Sequence, residues 1–248
     1  MIVHLLHLGR VGYSEGLAIQ RRIVDLRKQQ LIGDVLLLLE HPPVITLGRN
    51  AHRSNVIVSD AFLASRGVEL HEINRGGDVT YHGPGQLVGY PIVDLRGDFP
   101  GKTGPHLGVV DYVRLMEEVL IGACGGFGVM TQRIAGRTGV WTLPGGSISA
   151  RKIAAIGVHI SQGVTSHGFA LNVTTDLREF EWIVPCGIAD AEVTSLENEV
   201  DTRERASPSM ADVVNRVAKN FGRVFGRQIV WVESLEALEG VREGSASG

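Results

Sequence analysis

Apolar positions along the chain follow two periods, near 2 and near 3.6, and so predict strands interleaved with helices. Ile2–Leu8 reads as a strand. Ser14 is placed to cap a helix running to about Gln30, with Leu17, Ile19, Ile23, Val24 and Leu26 as its apolar positions. Val35–Leu39 is short and wholly apolar, the mark of a strand buried on both faces. His41-Pro42-Pro43 ends it, and Val44–Leu47 resumes an extended path. Ser59 or Asp60 can cap a short helix to Ser65, and Val68–Ile73 alternates as a strand. Gln86–Leu95 is a long extended run, and Leu107–Ala123 has helical spacing. Gly139–Thr142, Lys152–Ile160 and Gly168–Val173 read as strands joined by Gly/Ser turns. Ser207 or Ser209 caps a helix to about Phe225, and Gln228–Val232 is a last strand.

The central strands follow one another through turns rather than through helices. That pattern favours an α+β fold with a mixed, mostly antiparallel sheet over a doubly wound α/β sheet. No internal repeat and no long linker divides the 248 residues, so a single domain over residues 1–235 with a flexible tail over 236–248 is expected.

Composition narrows the classes of function. Hydrophobic residues make up 44%, enough for a substantial core. The 24 Lys plus Arg against 27 Asp plus Glu leave a net charge of −3, and no long basic run exists, which argues against nucleic-acid binding. No apolar stretch is long enough to span a bilayer, and Met1–Arg10 lacks the features of a signal peptide. Cys124 and Cys186 do not make a disulfide scaffold. A soluble, cytoplasmic protein is expected. Lysine occurs only at positions 28, 102, 152 and 219, and the other cations are arginine. Each lysine therefore raises the question of what arginine cannot do there, and one answer is to give up a proton.

Several short motifs fail on inspection. Gly97–Thr103 ends in GKT, but a phosphate-binding loop needs a glycine where Arg96 stands. Gly125-Gly126-Phe127-Gly128 has Thr131 where the last glycine of a dinucleotide fingerprint belongs, and reads better as a helix end. GGSIS around Ser147 is not a nucleophile elbow. Scattered histidines and the lack of paired cysteines predict no metal site, and no cofactor is expected.

Three places carry chemistry. The run Arg75-Gly76-Gly77-Asp78-Val79-Thr80-Tyr81-His82 sets a double glycine, which lets backbone approach a ligand, between two donor side chains. Lys152 opens an apolar strand. Cys186 stands between Pro185 and Gly187, in a loop context that favours access, whereas Cys124 ends a helix and reads as structural.

RGGDVTYHGPGQLVGYPIVDL, KIAAIGVHI, HGFALNV and PCGI followed by VTSLE, in that order, resemble the lipoyl(octanoyl) transferases. The resemblance covers about residues 3 to 230. It implies a fold like that of the biotin and lipoate protein ligases and the class II aminoacyl-tRNA synthetase core, with a small accessory sheet. It further implies transfer of an octanoyl group from octanoyl-acyl carrier protein to a lysine of lipoyl domains. These acceptors are the E2 subunits of 2-oxoacid dehydrogenases and the H protein of glycine cleavage. Residue by residue, Cys186 matches the nucleophile and Lys152 the acid/base that also holds the thiol pKa down. Arg75 to His82, Ala155-Ile156-Gly157 and Gly168-Phe169-Ala170 match the three substrate-binding segments.

The chemistry of the residues is consistent with that implication. A thiolate is the reactive form of cysteine, and a nearby ammonium favours it. Thioester exchange needs no ATP, and the incoming amine must lose a proton that Lys152, unlike an arginine, can accept. Small side chains at Ala154, Ala155, Gly157, Gly168 and Ala170 leave room for an alkyl chain, and backbone amides at Gly76–Gly77 or Lys152–Ile153 are candidates for an oxyanion hole. Arg75, Arg137 and Arg151 are candidates for a basic surface toward acidic partners. The rival is an ATP-dependent lipoate or biotin ligase of the same fold, which would form an acyl-adenylate and need no cysteine.

Overall fold

The computed structural model describes residues 1–144, 149–184, 192–201 and 206–240. Cys186 and Ser147 lie outside the described residues. An eight-stranded sheet forms the centre. Its strands are β1 (Ile2–Arg10), β2 (Asp34–Glu40), β6 (Gln86–Ile92), β7 (Thr131–Ile134), β8 (Arg137–Thr142), β9 (Lys152–Ser161), β10 (Val164–Asn172) and β11 (Gln228–Val232). They lie in the order β11-β1-β2-β6-β10-β9-β8-β7. The β11-β1 and β1-β2 pairs are parallel, and the five pairs from β2-β6 to β8-β7 are antiparallel. A smaller sheet is built from β3 (Val44–Leu47), β4 (Glu69–Glu72) and β5 (Val79–His82), in the order β4-β3-β5. This is the α+β arrangement that the sequence pattern predicts, with the accessory sheet that the family resemblance implies.

Alternation along β2 assigns each residue a side. Leu36 and Leu38 enter the core with α3 (Val109–Gly125), the short α4 (Leu196–Glu199) and α5 (Met210–Phe225), where Val119, Leu120, Leu196, Val217, Phe221 and Phe225 pack. Val35, Leu37 and Leu39 enter a second core beneath α1 (Tyr13–Lys28), against Ile23, Leu26, Val88 and Tyr90. Covered on both faces, Val35–Leu39 is fully buried, as a short all-apolar strand requires. A third core joins the small sheet to α2 (Asp60–Ser65) and the 3-10 turn Leu177–Trp182 through Ile45, Val79, Tyr81, Leu63 and Phe180.

Helix ends follow local chemistry where nothing overrides it. Ser59 caps α2 by accepting from the Phe62 N–H, and Ser209 caps α5 by accepting from Asp212. Helix α5 stops at Gly226, which takes the left-handed conformation at φ 63°. Helix α1 departs from expectation. It begins at Tyr13 behind Gly12, with no side-chain cap, rather than at a Ser14 cap. Tertiary packing decides this: the Tyr13 ring is buried edge-on against His41, 5.0 Å between centroids.

The C-terminal expectation is also corrected. The stretch assigned to a tail from residue 236 instead holds helix α6 (Leu235–Gly240) up to Gly240, and Leu238 is fully buried in the core beneath α1. Its apolar spacing is too short to register as periodic in sequence. Leu238→Ala should therefore lower unfolding free energy by about 2–5 kcal/mol in urea denaturation. A loss under about 0.5 kcal/mol, typical of a surface position, would mean that α6 is not docked.

Candidate active site

The two sheets meet backbone to backbone. The loop 75–78 between β4 and β5 donates the Gly76 N–H to Val158 O of β9 at 2.9 Å. Gly157 faces the same loop, and a Cβ there would sit 2.7 Å from Gly76 O. Only glycine permits that approach. A second loop seals the first from behind, with Arg49 N–H on Arg75 O at 3.0 Å and Asn50 N–H on Gly77 O at 3.2 Å.

The seam leaves a cavity of about 340 Å³ on the α1 side of the main sheet, a size ordinary for a small-ligand site. Its wall includes Arg75, Gly77, Asp78, Val79, Thr80, His82, Lys152, Ala155, Ile156, Gly157, Gly168, Phe169 and Ala170. The three segments singled out in sequence, far apart along the chain, thus converge on one space. Gly76 and Tyr81 do not line it. Gly76 is spent on the seam, and Tyr81 points the other way by strand alternation, into the third core, with its hydroxyl on Glu179. Ala154, expected to make room for an alkyl chain, lies in the main core instead.

The wall also contains residues outside those three segments: Tyr13, Asn50, Ile73, Val88, Tyr90, Gly136, Arg137, Thr138 and His167. Tyr90 and Val88 could have been suspected as inward positions of a strand, and His167 from its place beside Gly168. Tyr13 and Ile73 reach the cavity only through tertiary packing.

Lys152 is the first residue of β9 and is buried at 7% exposure, so it is not the solvated strand end that a lone lysine usually marks. Its Nζ lies 5.0 Å from the centre of the buried Trp141 ring, within cation–π range. Gly139, at φ 120°, makes room for it, since a Cβ there would be 3.0 Å from Lys152 Cε. The backbone around Lys152 is held by the chain leading out of residues 185–191. Lys152 N–H donates to Glu192 O at 2.8 Å, and Thr194 N–H donates to Lys152 O at 2.9 Å. On the other side of that segment, Val184 N–H donates to Asn55 O at 2.7 Å. Of the four amides considered as oxyanion donors, Gly76 and Lys152 are thus already committed, and of the two glycines only Gly77 lines the cavity.

The buried imidazoles around the cavity are hydrogen-bonded and neutral, and Arg75 is a buried cation beside them. Arg75 donates from Nη2 to Thr46 O at 2.8 Å and to Thr46 Oγ1 at 2.9 Å. It is therefore a wall residue, not part of a basic surface. Arg137 is exposed, and Arg151 pairs with Glu199 at 2.7 Å. His82 donates from Nδ1 to Gln86 Oε1 at 2.7 Å. Gln86 Nε2 donates to Asn172 Oδ1 at 2.9 Å, and Asn172 Nδ2 to Thr194 O at 2.9 Å, so a hydrogen-bonded chain runs from the small sheet to the segment that holds Lys152. His41 donates from Nδ1 to Val11 O and accepts from the Tyr90 hydroxyl, both at 2.8 Å. Burial holds the His41 pKa down to about 4. Burial, with His41 and Arg75 nearby, takes His82 to about 3, and burial with Arg75 does the same to His167. Cys124 is buried, and burial pushes its thiol up to about 12, consistent with a structural role.

These features define a class: an α+β protein with a mostly apolar small-molecule cavity between a main and an accessory sheet, and a buried lysine in its wall. Solved structures share the architecture. The bipartite lipoate protein ligase of Thermoplasma acidophilum superposes with a TM-score of 0.73 at 18% identity, covering 97% of this chain and 90% of that one. A lipoate-protein ligase A bound with ATP gives 0.68 at 16%, covering 97% and 92%. At such identities the likeness shows the fold.

The sequence profile of the lipoyl protein ligase A/B catalytic domain matches residues 12–222, and the chain belongs to that family. An octanoyltransferase of Acidobacterium capsulatum is 64% identical over 94% of this chain and 94% of its own length. One of Koribacter versatilis is 54% identical over 96% and 90%.

The buried histidines set a pH dependence of stability. Unfolded, each titrates near 6.5; folded, near 3 to 4. Below about pH 6.5 the unfolded chain binds protons that the folded chain refuses, so their contribution is complete above that pH and is lost as pH falls toward the folded values. Between pH 7 and pH 5 each should cost about 2 kcal/mol, read as a falling urea midpoint. A midpoint unchanged over that interval would contradict neutral burial.

Proposed function

We propose that this chain is an octanoyltransferase of protein lipoylation, acting in the cytoplasm. In this reading it moves an octanoyl group from octanoyl-acyl carrier protein to a lysine of lipoyl domains, such as 2-oxoacid dehydrogenase E2 subunits and the glycine cleavage H protein. The group passes through a thioester on Cys186. The observation that carries the reading is Lys152. It is buried in the cavity wall, rests on Trp141, and its backbone is hydrogen-bonded to Glu192 and Thr194, which follow the segment containing Cys186. The names of the relatives support the same activity.

The steps balance without ATP. The Cys186 thiolate attacks the thioester carbonyl of the donor, the new C–S bond forms, and the carrier's thiolate leaves with a proton. The lysine amine of the acceptor then attacks the Cys186 thioester and gives up a proton as the C–N bond forms. Cys186 leaves as thiolate. Lys152 Nζ is the proton carrier in both halves, a task arginine cannot perform. Thr80, Val88, Ala155, Gly157 and Ala170 supply the alkyl-binding wall. Tyr90 and Tyr13, whose hydroxyls burial keeps protonated, close its far end.

Mixing the protein with octanoyl-acyl carrier protein in the absence of ATP, quenching in acid and taking an intact mass should give an octanoyl adduct on the wild type and none on Cys186→Ala. An adduct that forms only with free octanoate and ATP would overturn the reading in favour of the ligase. Lys152→Arg keeps the charge but not the proton transfer. It should lower the rate of delivery to a lipoyl domain by roughly 100-fold or more. Delivery within about threefold of wild type would remove Lys152 from the acid/base role.

A further inference from the structure

Helix α3 carries a charged side chain on the face that packs into the main core. Glu117 is fully buried. Its Oε2 accepts from Arg114 Nη1 at 2.7 Å and from Arg133 Nε of β7 at 3.2 Å, and its Oε1 accepts from the backbone N–H of Gly139 in β8 at 3.1 Å. Both arginines are partly exposed and reach it from the surface. A buried ion pair is a weak source of stability, and an apolar side chain could fill the same space at less cost. What an apolar side chain could not do is receive the Gly139 N–H.

That N–H stands at an irregular place in the sheet. The register of β8 shifts against β7 between Gln132 and Ile134, and against β9 between Val140 and Trp141. Val140 pairs with Ala154 and Trp141 with Lys152, so one step on β8 spans two on β9, and Ile153 is the extra residue of a bulge. The bulge decides where Lys152 points. Regular alternation would send Ile153 to the cavity with Ala155, and Lys152 to the core with Ala154. Instead Ile153 and Ala154 both enter the core, and Lys152 lines the cavity with Ala155. Gly139, at φ 120°, lies against the bulge: a Cβ there would be 2.5 Å from Ala154 O and 3.0 Å from Lys152 Cε. The Glu117 carboxylate thus holds the strand segment against which the lysine is turned.

We propose that Glu117 is a positioning residue for Lys152: it holds Gly139 beside the bulge, and the bulge keeps the lysine in the cavity wall on the face of Trp141. The inference rests on the acyl-transfer reading and adds to it a residue buried outside the cavity wall. Glutamine cannot do the same work. An amide that turns its oxygen to Gly139 leaves its NH2 facing the two arginines, and one that turns its oxygen to the arginines leaves its NH2 facing the Gly139 N–H.

The test is octanoyl delivery from octanoyl-acyl carrier protein to a lipoyl domain by the full chain, with Glu117→Gln made alone and in the Lys152→Arg background. Alone it should lower kcat by roughly tenfold or more, while KM for the lipoyl domain stays within about twofold. In the Lys152→Arg background the same change should lower kcat by less than about twofold, because a residue that acts through Lys152 has nothing left to position. Glu118→Gln removes the surface partner of Arg133 and leaves the Gly139 contact intact, so its kcat should stay within about twofold of wild type. Should Glu117→Gln show no cooperative urea transition, Glu117→Asp, which keeps the charge and withdraws it by one methylene, is read by the same criteria. A folded variant with wild-type kcat, an equal loss in both backgrounds, or loss of folding in both variants assigns Glu117 to stability alone. Each of these overturns the inference and leaves the transferase reading standing. A wild type that forms no octanoyl adduct overturns that reading, and this inference with it.

Discussion

Everything in the site depends on two sheets being able to touch. A loop of the small sheet lies on β9 closely enough for Gly76 to donate to Val158 O, and for Gly157 to face Gly76 O where no Cβ would fit. Moving them apart by the width of one methyl group would break the seam that walls the cavity and release the Arg75 guanidinium from Thr46, since both come from the same short loop. The double glycine and the glycine of β9, remote in sequence, are one structural device.

From that seam the polar interior follows. A buried arginine is tolerable because its guanidinium finds a carbonyl and a hydroxyl of Thr46. Its charge in turn helps to keep His82 and His167 neutral, and neutral imidazoles can face an alkyl chain at little cost. At the opposite end the order is reversed: the ammonium of Lys152 is kept buried on the face of Trp141. The cavity thus has an apolar body, neutral imidazoles in its wall, and two buried cations, Arg75 and Lys152. That polarity suits the acyl chain with a polar carbonyl that the proposed function calls for.

Much of this was legible in the chain. The order and type of the main elements follow from periodicity; the wall segment around Arg75 stands out by its double glycine and flanking donors, while those around Ala155 and Gly168 come from the family resemblance. What could not be read were the contributions of tertiary contact. Tyr13 opens a helix without a cap because its ring is buried against His41. Tyr81 belongs to a binding segment by sequence but faces a core by alternation. The four-residue strands β5 and β7, and the six-residue α6, are too short for a period to declare itself. Arg75 reads as surface by composition and is buried because its partners lie twenty-nine residues away.

The most direct measurement is a crystal structure of the protein acylated with octanoyl-carrier protein. The account predicts a chain whose carbonyl lies beside Lys152 and whose carbons lie in the cavity between Thr80, Val88, Ala155 and Ala170. An alkyl chain found on the surface, with the cavity empty, would contradict it.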